Sequence, residues 1–381
     1  MIEQNISHGF EESKIALEKI LETRKPSFVA IVCGKTSFEK TGAKNWLIPI
    51  LSGTKNIIID DFSPNPKADE FEKIRQEIPL DKVDLFIGVG GGSSMDMMKL
   101  LQIFQQLPAD LSVADYMKNP VEPAGQLTES IAIPTTAGSG SEATSFAVVY
   151  VDKQKNSLDT KLVIPRNVFL IPELLKSLPA SIRAATATDA LSQAIESYWS
   201  SSSTEQSQKI AASAIKMLHE NIVEYVAGND ETIPAILEGS FLAGKAIMLT
   251  RTTAPHAVSY CMTSYFGLPH GTAVGLTLGE FLCFNSLCTP EQCNDTRGCE
   301  HVKKTTLEIA KLLGANDENS ARENWRKMLA KIGISYKLSD HNIPREKLHV
   351  LVEGASEPKR LANNPRSLTK PQLEKMLTEI F

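Results

Sequence analysis

The chain has 381 residues, 42% of them hydrophobic, which is enough for two domains with a core each. A net charge of −5 gives no basic footprint for nucleic acid. No apolar run approaches the ~18 residues of a transmembrane helix, and Met1–Gly9 has neither the basic nor the apolar part of a signal peptide. No membrane association and a cytoplasmic setting are therefore expected. The cysteines, Cys33, Cys261, Cys283, Cys288, Cys293 and Cys299, read as reduced thiols. The last four cluster, but without the short paired spacing of a structural zinc site, so ordinary thiols are expected.

In chain order, Phe28–Cys33, Asn56–Asp60 and Asp84–Val89 are short apolar runs bounded by polar residues or glycine. They are predicted as buried parallel strands, with helical patterns between them at 36–51 and 67–78. Ile131–Pro134 and Phe146–Val151 continue the strand series. The alternation predicts βαβ units and an open parallel sheet. After Pro179 the strand signals fade, and Ala, Leu, Glu and Lys at helical spacing run to Phe381. Ser200–Thr204 reads as a helix end. The expected division is an N-terminal α/β domain over 1–180 and an all-helical C-terminal domain over 181–381. Clefts between domains are favoured ligand sites.

The segment Gly88–Ser94 follows a predicted strand and precedes a predicted helix from Met95. Glycines let a backbone approach a pyrophosphate, and a helix N-terminus offers N–H groups and partial positive charge. Ser93 stands where the third glycine of the common dinucleotide fingerprint would be. A second polar loop, Pro134–Glu142, also follows a strand. Two such loops at strand ends indicate a nucleotide crevice.

Downstream, Asp189 and Gln193 lie four apart and so share a helix face. His256 and His270 follow, fourteen apart. Carboxylate and imidazole donors suit a divalent metal such as Fe(II) or Zn(II). A metal constellation after a nucleotide loop points to redox chemistry on an alcohol or carbonyl.

Four motifs carry a resemblance. Gly90-Gly91-Gly92-Ser93-x-x-Asp96, Ile133-Pro134-Thr135-Thr136-x-Gly138-Ser139, Asp189-Ala190-Leu191 and Pro269-His270-Gly271 resemble, in the same order, those of the iron-containing (group III) alcohol dehydrogenases. The resemblance implies a dehydroquinate synthase-like architecture: a nucleotide-binding α/β domain with a parallel sheet, then an all-helical metal-binding domain. It places metal ligands on Asp189, His256 and His270. The family's remaining histidine ligand falls on Gln193, whose neutral carbonyl is a weaker donor. Gln193 either completes the metal shell or hydrogen-bonds the substrate oxygen. Tyr260 stands where the family commonly has a histidine near the nicotinamide. Its phenol titrates near ~10 and is a poorer proton shuttle at neutral pH.

The resemblance further implies NAD or NADP, held by Gly34, Asn65, Gly90, Gly91, Gly92, Ser93, Asp96, Thr135, Thr136 and Ser139. Gly34 occupies a position where an aspartate would repel a 2′-phosphate, and Lys35 adds a cation beside it. Asp189–Ser197 and Leu249–His256 look most similar to the phosphonoacetaldehyde reductase (hydroxyethylphosphonate dehydrogenase) branch. There Arg251 would meet an anionic substrate, since guanidinium binds phosphonate or carboxylate bidentately. Lys161, Arg166 and Arg366 are further anion partners to consider. The expected activity is hydride transfer between nicotinamide and a small aldehyde or alcohol, with the metal as Lewis acid. Two alternatives remain: a dehydroquinate-synthase-like lyase that uses NAD transiently, and a non-catalytic nucleotide-binding relative. A homo-oligomer, a dimer, is expected.

Overall fold

A computed structural model describes residues 3–152, 154–355 and 361–381. Six parallel strands form one sheet. Their order is β1 (Asn5–His8), β8 (Asn167–Leu170), β5 (Ser130–Pro134), β4 (Leu85–Gly90), β2 (Phe28–Cys33) and β3 (Lys55–Ile59). Every residue of β2, β4 and β5 is buried, as in strands covered on both faces. The helices of this part are α1 (Gly9–Arg24), α2 (Ser37–Lys40), α3 (Ala43–Ile50), α4 (Ala68–Glu77), α5 (Gly92–Phe104) and α6 (Val113–Lys118). From β2 the chain moves outward to β3, then returns across β2 to β4. That reversal makes a topological switch point between β2 and β4, where open α/β sheets bind ligands.

The structure corrects the sequence expectation in three places. Phe146–Val151 does not join the parallel sheet. It is β6 of a separate antiparallel hairpin with β7 (Gln154–Asp159), entered through Asp152 at φ 48. A run of β-formers specifies a strand but not its partner. Strands β1 and β8 carry no strong signal because they are four residues long, and β1 reads Asn-Ile-Ser-His at a sheet edge. Strand β4 extends through Gly90 and α5 starts at Gly92, three residues before the predicted helix.

Lys99 fastens α5 to the chain that follows β5. Its ammonium is wholly buried and donates to the carbonyls of Ser141 (2.6 Å), Thr144 (2.8 Å) and Phe146 (2.8 Å). Burial lowers its pKa to about 8, opposed by the Asp96 and Glu142 carboxylates.

The chain forms two compact units. One comprises residues up to 137 with 141–178, and the other 138–140 with 179–381. The second unit contains α7 (Ala180–Trp199), α8 (Glu205–Val226), α9 (Ile233–Thr250), α10 (Ala254–Phe266), α11 (His270–Ser286), α12 (Cys299–Leu312), α13 (Glu318–Lys331), α14 (Leu348–Ala355) and α15 (Lys370–Glu379). Helix α7 is its centre. Small residues such as Ala187, Ala190 and Ala194 let α8, α9 and α11 pack around it, and nearly all of Arg183–Trp199 is buried. The segment Asp230–Thr250 is long and apolar enough to cross a membrane, but it packs in this core against α7 and α8. All six cysteines are free thiols.

Candidate metal centre and nucleotide cradle

The cradle lies within the α/β unit at the C-terminal ends of β2, β4 and β5. Gly90 has φ 152, and a Cβ there would collide with Ser94 Oγ, so only glycine allows the chain to turn from β4 into α5. Gly91 is the N-cap of α5 and brings no side-chain acceptor to its first turn. A partial positive charge therefore faces whatever sits there. Thr135 N–H donates to Gly90 O at 2.9 Å, and a Cβ on Gly91 would lie 3.1 Å from Thr136 Oγ1. Asn65, at φ 61, donates its N–H to Ser93 Oγ at 3.0 Å. A Cβ on Gly90 would lie 3.7 Å from Gly34 N.

Seven of the ten expected cofactor residues are thus drawn together by these contacts: Gly34, Asn65, Gly90, Gly91, Ser93, Thr135 and Thr136. Gly92 opens α5 beside them. The other two differ. Asp96 accepts from Ser141 Oγ at 3.0 Å, and burial pushes its pKa up to about 6 against the pull of Lys99. Ser139 belongs to the 138–140 segment of the helical unit.

The candidate metal centre is built within the helical unit from three helix segments. Helix α7 supplies Asp189 and Gln193. Helix α10 supplies His256 in its first turn, after Pro255, which fixes a helical φ where the missing N–H costs nothing. His270 is the first residue of α11, following Pro269. Gly271 explains the Pro-His-Gly motif. A Cβ there would run into the Ala185 carbonyl oxygen and come within 2.8 Å of Asp189 N and Cβ. Its absence lets α11 lie against α7, which brings His270 to Asp189.

One ligand atom each from Asp189, His256 and His270 lie within 4.8 Å of one another. His256 Nε2 is 3.3 Å from Asp189 Oδ1, and the two imidazole centroids are 5.2 Å apart. Asp189, Gln193 and His256 are buried. Gln193 Oε1 is also buried and has no hydrogen-bond partner among the described residues. A buried, uncommitted oxygen is costly unless something satisfies it, and a metal on the Asp189 face of α7 would do so. Burial alone would lower the His256 pKa, but Glu196 and Asp189 outweigh it and push it up to about 10. The two carboxylates therefore stabilise positive charge on the ring. Carboxylate, two imidazoles and an amide oxygen fit Fe(II) or Zn(II).

Tyr260, one turn beyond His256, stacks parallel on the His270 ring at 5.9 Å between centroids. Ser259 Oγ lies 3.4 Å from His270 Nδ1. Arg251 is exposed at the C-cap of α9, with φ 66 and ψ 171. That backbone region belongs almost wholly to glycine, and residues held there cluster at functional sites. Arg366 is engaged structurally: it stacks on Phe284 and donates to Phe284 O and Gln292 Oε1. Lys161 and Arg166 line a cleft of about 330 Å³ with Glu3 and Asn5.

Sequence reading missed Glu196. It is fully buried, seven residues after Asp189 on the same face of α7, and it contacts His256 Nδ1. An acidic residue at that offset, in a helix otherwise fit for burial, was the available signal.

A glycine cradle at a sheet switch point and a helix-borne Asp–His–His centre define a metal-dependent oxidoreductase of the alcohol dehydrogenase class. Residues 10–172 match the family described as iron-containing alcohol dehydrogenase, and 183–381 match the Fe-containing alcohol dehydrogenase family, C-terminal. The chain belongs to the iron-containing alcohol dehydrogenase family. The lyase and non-catalytic alternatives are thereby set aside.

It is 30% identical to a phosphonoacetaldehyde reductase from Streptomyces viridochromogenes, over 85% of this chain and 82% of that protein. It is 29% identical to long-chain-alcohol dehydrogenase 1 from Geobacillus thermodenitrificans, over 85% of this chain and 82% of that one. The crystal structure of sulfoacetaldehyde reductase from Bifidobacterium kashiwanohense in complex with NAD+ superposes with a TM-score of 0.87. It shares 30% identity and covers 100% of this chain and 97% of that one.

Proposed function

We propose that this enzyme reduces small aldehydes bearing an anionic head group, using NADH or NADPH and a divalent metal. The observation that carries the reading is the convergence of Asp189, His256 and His270 on one point. When bound, the metal supplies Lewis acidity toward a carbonyl oxygen, and the reduced nicotinamide supplies the hydride. The chain's own residues do the rest. Asp189 and the two imidazoles, with Gln193 completing the shell, would hold the metal on a scaffold in which Asp189, Gln193 and His256 are buried. Tyr260, stacked on His270, orients that ring and offers its hydroxyl as a hydrogen bond near it. The Gly90–Ser93 turn and the N-terminus of α5 bind the cofactor's pyrophosphate through backbone N–H groups. Gly34 places no carboxylate against a 2′-phosphate.

Two relatives whose names specify phosphonate- or sulfonate-bearing aldehydes support the anionic substrate class. Arg251 is the guanidinium we assign to that head group. Its strained backbone, five residues before His256, supports a functional rather than a packing role. A soluble homodimer in the cytoplasm is the proposed setting.

The test is a panel of phosphonoacetaldehyde, sulfoacetaldehyde and neutral aldehydes of similar size. Each is assayed with NADH and NADPH on enzyme loaded with Fe(II) or Zn(II). The anionic aldehydes are expected to have the highest kcat/KM, and Arg251→Ala to erase that advantage. Equal or better turnover of neutral aldehydes would sink the assignment.

A further inference from the structure

Glu196 is not one of the candidate ligands, yet both of its carboxylate oxygens are engaged beside them. Its Oε1 accepts from Thr253 N–H (2.8 Å), Thr253 Oγ1–H (2.9 Å) and His256 N–H (3.4 Å). Its Oε2 takes His256 Nδ1. Thr253 Oγ1 in turn accepts from Trp199 Nε1 at 2.8 Å, so the hydroxyl proton is committed to Glu196. Trp199, Glu196 and Thr253 are all buried. One carboxylate oxygen therefore caps the first turn of α10, and the other fixes the ring that α10 carries.

We infer that Glu196 is a positioning residue that sets the tautomer and angle of His256, holding a proton on Nδ1 so that Nε2, on the Asp189 side, is the nitrogen offered to a metal. An imidazole hydrogen-bonded at one nitrogen presents the other as a defined donor, and carboxylate partners of this kind also raise its basicity. The inference rests on the proposed metal centre.

The Glu196→Gln substitution separates the two jobs. A glutamine has one accepting oxygen. If that oxygen stays on Thr253 and His256 N–H, three bonds survive and the amide NH₂ faces Nδ1. Nδ1 must then accept, which moves the ring proton to Nε2, the atom that would bind metal. If the amide turns over, the NH₂ meets the N–H groups of α10 and the cap is lost. The first arrangement keeps more bonds and is the one expected.

The experiment measures the Zn(II) dissociation constant of the stripped protein by competition with a chelator, for wild type, Glu196→Gln, Glu196→Asp and Thr253→Ala. Glu196→Gln is expected to weaken Zn(II) by about 10- to 100-fold at nearly unchanged thermal midpoint. Thr253→Ala removes part of the cap and is expected to lower the midpoint with little change in Zn(II) affinity. Glu196→Asp keeps the charge and is expected to recover part of the affinity. A wild-type Zn(II) constant in a folded Glu196→Gln protein would overturn the inference, because a capping residue alone would give that result.

Long-range ¹H–¹⁵N spectra of the wild-type His256 ring give a second readout that needs no variant to fold. Nδ1–H with Zn(II) bound is expected, and Nε2–H would refute the assignment. If wild type itself fails to bind Zn(II) or Fe(II), the metal centre falls first. If wild type binds and Glu196→Gln binds equally, only the role of Glu196 falls.

Discussion

The cradle and the metal centre are built in opposite ways. The cradle is made of backbone: Gly90 and Gly91 matter for the side chains they lack, and their support comes from below, where buried Lys99 ties α5 to residues 141–146. The metal centre is made of side chains from three helices, and Glu196 supports it from behind. The contrast teaches what each can tolerate. A backbone site is spoiled by adding atoms, and a side-chain site by removing them. Gly271 is the exception that joins the two rules, because added atoms there push apart the helices that carry the ligands.

Substitutions can sharpen or break this contrast. The largest effect is expected from Asp189→Ala or His270→Ala. Each should remove bound metal and cut kcat/KM by at least about 100-fold, since Lewis-acid stabilisation is worth several kcal/mol. Steady-state assays with matched metal analysis check it, and wild-type activity in either variant would refute the ligand set. Gly271→Ala should come next. Overpacking against Ala185 O costs about 1–3 kcal/mol or more, and the displaced α11 should lose metal although no ligand is touched. Metal retention after dialysis, beside a thermal melt, reports both.

In the α/β unit, Lys99→Met strands several buried acceptors and should lower stability by about 3 kcal/mol while leaving the metal centre loaded. Urea unfolding and metal content together test that separation. Gln193→His should tighten metal retention about tenfold if Gln193 lies in the shell, since imidazole is the stronger donor. A rise in KM with unchanged retention would instead assign it to the substrate. The smallest effect is expected from Gly34→Asp, a shift toward NADH of about 1–2 kcal/mol at a partly exposed position. The new Cβ would lie 2.6 Å from Ser37 Oγ, a terminal hydroxyl that can rotate away. Outright rejection of NADPH by wild type would undo the premise.

The same contrast explains what was legible in the sequence. The cradle announced itself locally, because glycine density after an apolar run is visible within ten residues. Strands β2, β4 and β5 were equally plain, because burial on both faces leaves a continuous apolar run. The hairpin partner of β6 was not legible, since pairing is a tertiary choice and Gln154–Asp159 carries no apolar pattern. The candidate ligands are scattered over three helices, so the motifs pointed to them but not to their support. Glu196 escaped notice because its meaning lies in Thr253 and His256, far along the chain but within hydrogen-bonding distance of it. Gly271 stood in the sequence only as part of the Pro-His-Gly motif, and the packed helices show that it is a contact surface.

The central claim is that Asp189, His256 and His270 hold a metal on which turnover depends. Metal analysis of anaerobically purified protein, followed by stripping and stepwise return of Fe(II) or Zn(II) with NADPH-linked aldehyde reduction monitored throughout, tests it most directly. The structure leads us to expect one metal per chain, loss of activity on stripping and recovery that saturates at one equivalent. Full activity in the stripped protein, or metal uptake unchanged by His270→Ala, would contradict it.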